Sequence, residues 1–427
     1  MSRYVVPSGF PEYLPATQAQ FETLKQTLAT SFARFGFTYL QTPAVEYLDT
    51  LASKGDINNE IYAITQANLA EGELPKTPDR GLRFDLTTPF ARFVANHHGK
   101  LDFPFRRYQI DRVWRGERAQ KGRYRELYQA DIDIVAPERL PLIYDAEILR
   151  TIATTLEELD LFDFTVRVND RNFLARYLED FGVKSTALPA AFALLDKLKK
   201  VSPAEFKTRL QSECGLSAAR AEDLYAKIQA PLPLTQYLQL STDFAYLSDG
   251  LAALPLRRGK IVLDLSIVRG LDYYTGFVYE TTVDGYEEFG SISSGGRYAN
   301  LVSKFSKQAF PGVGGSIGLS RLFFILQETN LLPATPEPSG AYVLFLEPDR
   351  LRANQALAAT LRTAKIRVGV QPEAAKFAKQ IKYANANAYR FALILEEDET
   401  LTLKDIVTRE QTTGLDVAEV QRILLDA

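Results

Sequence analysis

The sequence predicts a mixed α/β protein of the α+β type with more than one domain. Two strand-like runs, 108–114 and 126–135, lie on either side of a charged loop, which indicates an antiparallel hairpin. Residues 165–250 are rich in Leu, Ala, Lys and Glu at helical spacing, which indicates a mostly helical insertion. From residue 341 onward strand and helix patterns alternate, which indicates a small α/β domain with a mixed sheet.

Length and composition further narrow the kind of protein that the chain can be. A chain of 427 residues is too long for one ordinary core, so two or three domains are expected. The hydrophobic share of 46% and the charged share of 24% are typical of a soluble globular protein. A single cysteine, Cys214, excludes an intrachain disulfide, and no apolar run has the length of a signal-peptide core or a membrane span. We therefore expect a cytoplasmic protein.

The first elements are predicted from local periodicity. Apolar residues at spacings of three and four indicate an amphipathic helix over 17–35. Residues 81–86 are predicted as a strand that runs into a helix begun by Pro89. Apolar residues at 263–268 and 277–279 indicate two further strands.

Composition shifts predict the domain boundaries. We expect one domain from 1–164 and 251–330, interrupted by the helical insertion at 165–250. Residues 331–340 are rich in proline and are predicted as a linker to a last domain, 341–427. In that domain strands are predicted at 341–346, 367–370, 391–395 and 401–405, and helices at 351–363, 375–386 and 417–425.

Histidine and cysteine are too scarce for several kinds of catalytic site. With His97 and His98 as the only histidines and one cysteine, we expect no zinc site. A Ser-His-Asp triad would need that histidine pair, which lies in a polar stretch with no nucleophile elbow nearby. The chemistry is therefore expected to depend on arginines, carboxylates and a metal-bound substrate.

The run from Val268 to Gly276 carries the most specific chemistry. It places a guanidinium, an acid and two phenols within six residues. Arg269 can hold a carboxylate or a phosphate through two hydrogen bonds. Tyr273 and Tyr274 have flat apolar faces with hydroxyl ends, which suit a small planar polar group. Because strands are predicted on both sides, we expect this run to line a cleft on a sheet.

The loop of the predicted hairpin holds five cations in the eleven residues from Arg115 to Arg125. The formal net charge is only −3, so phosphate or nucleic-acid binding would depend on local basic groups such as these. Arginines held on a hairpin suit a triphosphate. A solvated charged turn is the other interpretation, and the loop alone does not decide between them.

The run Arg269–Tyr274 resembles a signature of the histidyl-tRNA synthetases, and other segments agree with it. Trp114–Leu127 resembles motif 2 of class II aminoacyl-tRNA synthetases, and Tyr128–Asp133 resembles its histidyl form. Glycines that precede an arginine at Gly312–Arg321 resemble motif 3. Ser294–Tyr298 resembles the second histidyl signature.

Both ends of the chain extend the resemblance. The 17–35 helix and the strand ending at Pro43 are similar to motif 1, which is normally the dimer interface. Lys379–Ala384 and Leu403–Asp405 are similar to the anticodon-binding domain. The motifs therefore occur in the order of the family across essentially the whole chain.

The resemblance implies a fold, an activity and partners. The fold would be the class II antiparallel sheet flanked by helices, with a helical insertion and an anticodon-binding domain. The activity would be ATP-dependent conversion of histidine into histidyl-adenylate, followed by transfer to the 3′ end of tRNA(His). The implied partners are histidine, ATP with Mg²⁺, tRNA(His) and a second copy of the chain joined through the motif 1 helix, with no membrane.

The resemblance also assigns roles to individual residues. Arg115 and Arg269 would be catalytic and flank the α-phosphate and the histidine carboxylate. Arg115, Glu117, Arg123 and Arg321 would bind ATP. Histidine would be bound by Asp85, Thr87, Gln129, Asp133, Arg269, Tyr273, Tyr274 and Tyr298.

Several of these residues have a purely structural interpretation as well. Tyr273 and Tyr298 could be core aromatics, and Arg269 could be held in a structural salt bridge. Asp85 could cap the turn before Pro89. Asp133 alternates with apolar neighbours on its strand, so it could face solvent.

Departures from the family pattern leave a second function open. Leu127 stands where a phenylalanine usually stacks on adenine, and Ser320 replaces the usual acid before Arg321. Ala299 and Asn300 replace the usual Asp-Gly. The alternative is a non-catalytic relative such as the regulatory subunit of ATP phosphoribosyltransferase in histidine biosynthesis. That subunit typically lacks the C-terminal domain and the arginine found here at 269.

Overall fold

The computed structural model describes residues 5–52, 60–65, 77–233, 245–251, 254–268, 274–299, 301–335 and 337–426. The chain divides into two compact units, Met1–Ala334 and Thr335–Ala427. The division falls inside the predicted proline-rich linker.

The first unit is built on an antiparallel sheet. In chain order its described strands are β1 (Thr38–Tyr39), β2 (Val45–Tyr47), β3 (Ala63–Ile64), β4 (Arg80–Leu82), β5 (Phe105–Trp114), β6 (Glu126–Val135), β7 (Phe164–Asp170), β8 (Leu232–Pro233), β9 (Gly259–Leu263), β10 (Phe277–Val283), β11 (Ser293–Tyr298) and β12 (Gly312–Ile317). Nine of these form one sheet in the order β1-β5-β6-β12-β11-β10-β7-β9-β8. Only β1–β5 and β7–β9 pair in parallel among them. Strands β2, β4 and β3 form a small separate sheet.

Helices flank this sheet, as the resemblance implies. Those described are Pro15–Arg34, Leu48–Leu51, Thr87–His97, Ile143–Leu159, Arg171–Asp180, Leu188–Asp196, Pro203–Cys214, Ala218–Ile228, Ala245–Leu251 and Leu319–Glu328. The predicted fold class, an antiparallel sheet flanked by helices, is confirmed.

Strand β6 separates the hydrophobic core from the polar face of the sheet. Its apolar side chains Ala130, Ile132 and Ile134 are fully buried in the main core, and the Ile143–Leu159 and Leu319–Glu328 helices pack against the strand. Because successive side chains of a strand point to opposite faces, Gln129 and Asp133 lie on the other face. The periodicity of one strand thus directs polar groups toward a common surface.

The segment predicted as a helical insertion begins with a strand. Strand β7 pairs with β10 and β9 of the main sheet, and the helices start at Arg171. Apolar residues at every second position, Phe164, Val166 and Val168, are fully buried, which is a strand pattern rather than a helical one. The domain boundary at residue 165 stays a prediction.

The strand predicted over residues 263–268 is wrong beyond Leu263. Strand β9 ends at Leu263, and the apolar residues up to Val268 form a buried turn. The Asp264 carboxylate accepts hydrogen bonds from the Ser266 backbone N–H at 2.9 Å and the Ser266 hydroxyl at 2.6 Å. This side chain to backbone turn competes with the strand conformation, although the segment is apolar enough to resemble one.

The second unit has the predicted mixed sheet. Its strands are β13 (Ala341–Val343), β14 (Val368–Val370), β15 (Phe391–Leu395), β16 (Leu401–Asp405) and β17 (Gln411–Leu415), in the order β14-β13-β15-β16-β17. Strand β13 pairs in parallel with both neighbours, and the other pairs are antiparallel. The helices are Leu351–Thr363, Phe377–Ala386 and Val417–Asp426. The sequence analysis missed β17, an exposed edge strand without an apolar pattern.

Across the described ranges, no helix combines the length and apolar character needed to cross a membrane.

Candidate active site

Two neighbouring cavities lie on the polar face of the main sheet. The outer cavity, about 300 Å³, is formed by the loop between β5 and β6, the approach to β11 and the start of the Leu319–Glu328 helix. The inner cavity, about 150 Å³, lies over β6, β11 and β12 beside the start of the Thr87–His97 helix. Four residues line both cavities, namely Arg115, Gln129, Ser294 and Ser316. The two cavities are therefore adjoining parts of one cleft.

All four residues predicted to bind ATP line the outer cavity. They are Arg115, Glu117, Arg123 and Arg321. Arg321 donates a hydrogen bond from Nη1 to the Ser291 carbonyl at 2.8 Å. Arg123 Nη1 lies 3.9 Å from Glu117 Oε2, and the Arg123 side chain is exposed whereas that of Glu117 is partly buried. Such exposed pairs are weak, so an anionic ligand can replace the carboxylate as the partner of Arg123.

Packing against a helix holds the charged loop over the outer cavity. Gly122 has φ +68°, and a Cβ added there would lie 3.0 Å from the Phe324 ring. Tyr124 contacts the same ring edge-on, with the centroids 6.4 Å apart. The loop is thus anchored at its tip, and glycine is required there by conformation as well as by space.

Arg115 occupies the junction of the two cavities. Its Nε donates to the Phe84 carbonyl at 3.1 Å, and its Nη2 donates to Gln129 Oε1 at 3.3 Å. Gln129 in turn donates from Nε2 to the Ser316 hydroxyl oxygen at 2.9 Å. These contacts fix the guanidinium where one ligand meets the other.

Six of the eight residues predicted to bind histidine line the inner cavity. They are Asp85, Thr87, Gln129, Asp133, Tyr274 and Tyr298. The other two, Arg269 and Tyr273, lie outside the described residues, as does the rest of the run 269–273.

Two residues of the inner cavity wall, Asp133 and Tyr298, form a buried triad with Arg107. The Tyr298 hydroxyl donates to Asp133 Oδ1 at 2.9 Å. Arg107 Nη2 lies 2.9 Å from Asp133 Oδ2 in an ion pair, and the Arg107 side chain is fully buried. Burial, with Asp133 beside it, raises the pKa of Tyr298 well above its ordinary value, so the phenol stays protonated. Asp133 is 2% exposed, so its interpretation as a solvated residue is wrong.

Asp85 combines a structural contact with a place in the cavity wall. Its carboxylate accepts hydrogen bonds from the Thr88 backbone N–H at 3.0 Å and the Thr88 hydroxyl at 3.2 Å. Asp85 therefore accepts hydrogen bonds from the first turn of the Thr87–His97 helix, where backbone N–H groups lack partners within the helix. It also lines the inner cavity. The structural interpretation and the binding interpretation are compatible at this residue.

Glycines on β11 and β12 provide the space for these side chains. A Cβ on Gly314 would overlap the Asp133 carboxylate, and one on Gly296 would lie 2.8 Å from the Tyr274 ring. Tyr274 is also held through its carbonyl, which accepts from Arg171 Nη1 at 2.6 Å. The glycine-rich strands thus admit the bulky polar groups of the inner cavity.

Comparison with known proteins identifies the family. Residues 9–322 match the family model described as histidyl-tRNA synthetase, and residues 341–426 match the anticodon binding domain. This chain belongs to the histidyl-tRNA synthetase family.

Relatives and solved structures agree over nearly the whole chain. A histidine–tRNA ligase of Micrococcus luteus is 39% identical, covering 96% of this chain and 95% of that protein. One of Xanthomonas campestris pv. campestris is 38% identical, covering 95% and 92%. The crystal structure of histidyl-tRNA synthetase from Nostoc sp. PCC 7120 superposes with a TM-score of 0.83 at 32% identity, covering 100% of both chains.

A fourth protein shares the fold alone. It is described as an ATP phosphoribosyltransferase regulatory subunit/histidyl-tRNA synthetase from Bacillus halodurans C. It has a TM-score of 0.71 at 19% identity, covering 92% of this chain and 98% of that one.

The structure explains one departure from the family pattern and locates two others. Ser320 is 3% exposed, and its hydroxyl oxygen accepts a hydrogen bond from the Tyr128 backbone N–H at 2.8 Å. It therefore joins the Leu319–Glu328 helix to β6 without a charge. Leu127 lines the outer cavity, where it offers an aliphatic surface in place of an aromatic one. Ala299 follows β11 directly, whereas Asn300 lies outside the described residues.

Two residues at the candidate site, Arg107 and Asp131, were not predicted from the sequence. Arg107 pairs with Asp133 across the β5–β6 register, a relation that a single strand does not reveal. Asp131 lines the inner cavity between Gln129 and Asp133, two positions from each on the same face of β6. That alternation was visible in the sequence and could have identified Asp131.

Proposed function

We propose that this protein is a histidine–tRNA ligase. It uses ATP to convert histidine into histidyl-adenylate and passes the histidyl group to the 3′-terminal adenosine of tRNA(His). The observation that carries the proposal is the pair of adjoining cavities, one lined by arginines and one by buried polar groups, which meet at Arg115. The named ligases that are 38% and 39% identical over nearly the whole chain support the same activity.

The first step needs charge stabilisation more than proton transfer. The carboxylate of histidine is ionised at neutral pH, so it attacks the α-phosphate of ATP without a base. The protein must screen one anion from another and stabilise the charge that develops on the phosphate. Arg115, at the junction of the cavities, is suited to contact both reacting groups. Arg269 is proposed to flank them from the other side, by resemblance to the family.

The outer cavity would hold the nucleotide. Arg123 and Arg321 supply the positive charge for the distal phosphates, and Glu117 lies on the same loop. Mg²⁺ would arrive as part of the ATP substrate and bridge its phosphates. Leu127 would contact the adenine by apolar packing rather than by aromatic stacking.

The inner cavity would recognise the amino acid. Asp133, Tyr298 and Tyr274 would hydrogen-bond the imidazole, with the carboxylate accepting and the phenols able to donate or accept. Asp85, Thr87 and Gln129 would contact the α-ammonium group and its surroundings. A wrong side chain would leave these buried groups unpaired, which is an effective basis for rejection.

The second unit would bind the anticodon of the tRNA. Its Phe377–Ala386 helix begins after Lys376 and exposes Lys379, Lys382 and the ring of Tyr383. Exposed cations beside an aromatic ring suit phosphates and a stacked base. Residues 341–427 are proposed as the anticodon-binding domain on this basis.

We also propose a cytoplasmic homodimer that forms through the motif 1 region. The apolar face of the Pro15–Arg34 helix is buried in the core of its own subunit. The exposed side chains of Tyr39, Val45 and Tyr47, on the strands that follow, provide an apolar surface for the second copy.

The decisive experiment is ATP–pyrophosphate exchange on the purified protein, with and without Mg²⁺. Exchange that requires histidine and Mg²⁺ and is absent with other amino acids is the expected result. Binding of histidine without any exchange would contradict the proposal and favour the regulatory role. Charging of tRNA(His) then tests the transfer step.

A further inference from the structure

Asp131 is a carboxylate in the inner cavity to which the proposed function gives no role. The residue is 3% exposed, and its Oδ1 has no hydrogen-bond partner among the described residues. Buried acceptors are almost always paired in folded proteins, because an unpaired one loses its contact with water without compensation. An unpaired oxygen at the wall of a polar cavity therefore points to a donor on the ligand.

The position of Asp131 along β6 indicates which part of the ligand it meets. Gln129 and Asp133 lie two residues to either side on the same face, each about 7 Å away along the strand. Gln129 lines both cavities, and Asp133 lines the inner cavity alone. A histidine with its carboxylate at Arg115 and its imidazole at Asp133 has its α-carbon and ammonium group beside Asp131.

Strand pairing places Asp131 beside the junction. Arg115 donates to Gln129, and Gln129 donates to the Ser316 hydroxyl oxygen. Ser316 is the register partner of Asp131 on β12, and its hydroxyl lowers the pKa of the Asp131 carboxyl. Asp131 thus lies next to the chain of contacts that holds Arg115 at the junction.

The charges around Asp131 favour a cationic ligand. The pKa of Asp131 is raised to about 7, chiefly by burial; Arg107 and the Ser316 hydroxyl lower it, and the nearby acids Asp133 and Asp85 add to the rise. Arg107 directs Nη2 to Asp133 and to the Leu86 carbonyl, and no hydrogen bond joins Arg107 to Asp131 within the described part of the chain. The groups that face Asp131 from the surrounding elements are Arg107 on β5, Asp133 on β6, Asp85 before the Thr87–His97 helix, Tyr279 on β10, Ser316 on β12 and Arg115 at the junction.

We propose that Asp131 is a further histidine-binding residue, which accepts a hydrogen bond from the α-ammonium group of the bound amino acid. The inference rests on the proposed function. An ammonium group supplies both the missing donor and the positive charge that stabilises the ionised carboxylate. Where the carboxyl is protonated before binding, its proton leaves to the solvent as the ammonium group arrives, and no covalent bond changes in the ligand.

The test compares two ligands and the Asp131→Asn variant. Calorimetry on the full-length protein measures the affinity for histidine and for 3-(imidazol-4-yl)propionate, which lacks the ammonium group. We expect Asp131→Asn to weaken histidine binding about tenfold or more, and to leave the affinity for the propionate nearly unchanged. The matched control is Asp405→Asn, which removes a buried acid of the second unit and should change neither affinity.

A second measurement follows the protons released on binding, in the wild type and in the variant. At pH 7 the buffer dependence of the binding heat should report proton release on histidine binding that exceeds the release with the propionate. In Asp131→Asn this excess should vanish, while unchanged ATP affinity checks that the variant is folded.

Three outcomes would contradict the inference. Equal histidine affinity in the variant and the wild type would overturn the inference but not the proposed function. Equal losses of affinity for histidine and for the propionate would do the same. A wild-type protein that does not bind histidine would overturn the proposed function, and the inference with it.

Discussion

The inner and outer cavities share a wall but hold their polar groups in opposite ways. In the inner cavity Asp133 is buried and tied to Tyr298 and Arg107 by contacts of 2.9 Å. In the outer cavity Arg123 and Glu117 are on a loop, exposed and partly buried respectively, and 3.9 Å apart. The first arrangement is buried and closely paired, and the second is partly open to solvent.

The difference matches two recognition problems. Discrimination between amino acids of similar size requires buried groups whose hydrogen bonds are lost when the wrong ligand binds. A triphosphate carries so much charge that exposed arginines suffice to hold it, with little demand on their exact placement. Mutations in the inner cavity should therefore have large effects that are confined to histidine. Mutations in the outer cavity should have smaller effects on ATP, and mutations at the junction should affect both ligands.

The largest effect is expected at the junction. Arg115→Ala should slow histidine-dependent ATP–pyrophosphate exchange by about 10²–10³-fold, because a preorganised charge beside the transferring phosphate is lost. Single-turnover adenylate formation measures this directly. The control is Arg112→Ala, which removes an exposed cation from the preceding strand. An Arg115→Ala enzyme with normal single-turnover activation would remove Arg115 from the chemistry.

A smaller and more selective effect is expected inside the inner cavity. Tyr298→Phe deletes the hydroxyl that donates to Asp133, so the KM for histidine should rise about 10–30-fold while the KM for ATP stays within about twofold. The matched control is Tyr279→Phe, a buried tyrosine whose hydroxyl contacts Ser293 at 3.3 Å. Parallel increases in both KM values after Tyr298→Phe would show that the two cavities are not separate.

The same contrast explains how far the sequence could predict the site. Arg115, Glu117 and Arg123 of the outer cavity lie on one loop, so the sequence already shows them as a charged cluster, and the resemblance to the family assigns them to ATP. The inner cavity depends on pairing between distant strands. Arg107 meets Asp133 only through the β5–β6 register, and a hydrophobic pattern specifies register less directly than it specifies a strand.

The fold follows the same principle at larger scale. The β5–β6 hairpin and the alternating elements of the second unit have strong local periodicity, and their predicted positions agree with the structure within a few residues. The buried turn after Leu263 and the exposed edge strand β17 were predicted incorrectly or missed. In the turn after Leu263, hydrogen bonds to the Asp264 side chain prevent the strand that the apolar pattern predicts. Strand β17 is exposed, so it forms without an apolar pattern that could have predicted it.

A modest effect is expected in the outer cavity. Arg123→Ala should raise the KM for ATP about 3–10-fold without changing the KM for histidine, because one exposed charge among several is removed. The effect should shrink as ionic strength rises, since exposed charges are screened. Arg118→Ala removes a charge from the same loop at a position that lines neither described cavity, and it is the control for net charge. If the rise in the KM for ATP in Arg123→Ala did not depend on ionic strength, Arg123 would be acting as a buried charge rather than an exposed one.

The smallest expected effect is a change in folding stability when Asp131 is replaced, which can be measured separately from histidine binding. The unfolded Asp131 carboxyl ionises near pH 4, whereas in the fold its pKa is about 7. The folded pKa is raised, so raising the pH from 4 to 7 removes stability from the wild-type protein. Asp131→Asn lacks this penalty and should be more stable than the wild type at pH 8, by about 1 kcal/mol or more, with a gap that narrows toward pH 4.

Thermal unfolding of both proteins without ligand, at pH 5 and pH 8, measures that gap. Saturating histidine should reverse it at pH 8, because the ligand stabilises the wild type more than the variant that binds it weakly. A variant that is less stable than the wild type at pH 8 without ligand would mean that the carboxylate is already compensated in the empty cavity. A stabilised variant with weakened histidine binding would instead identify Asp131 as a group held at a cost to the fold because the ligand requires it.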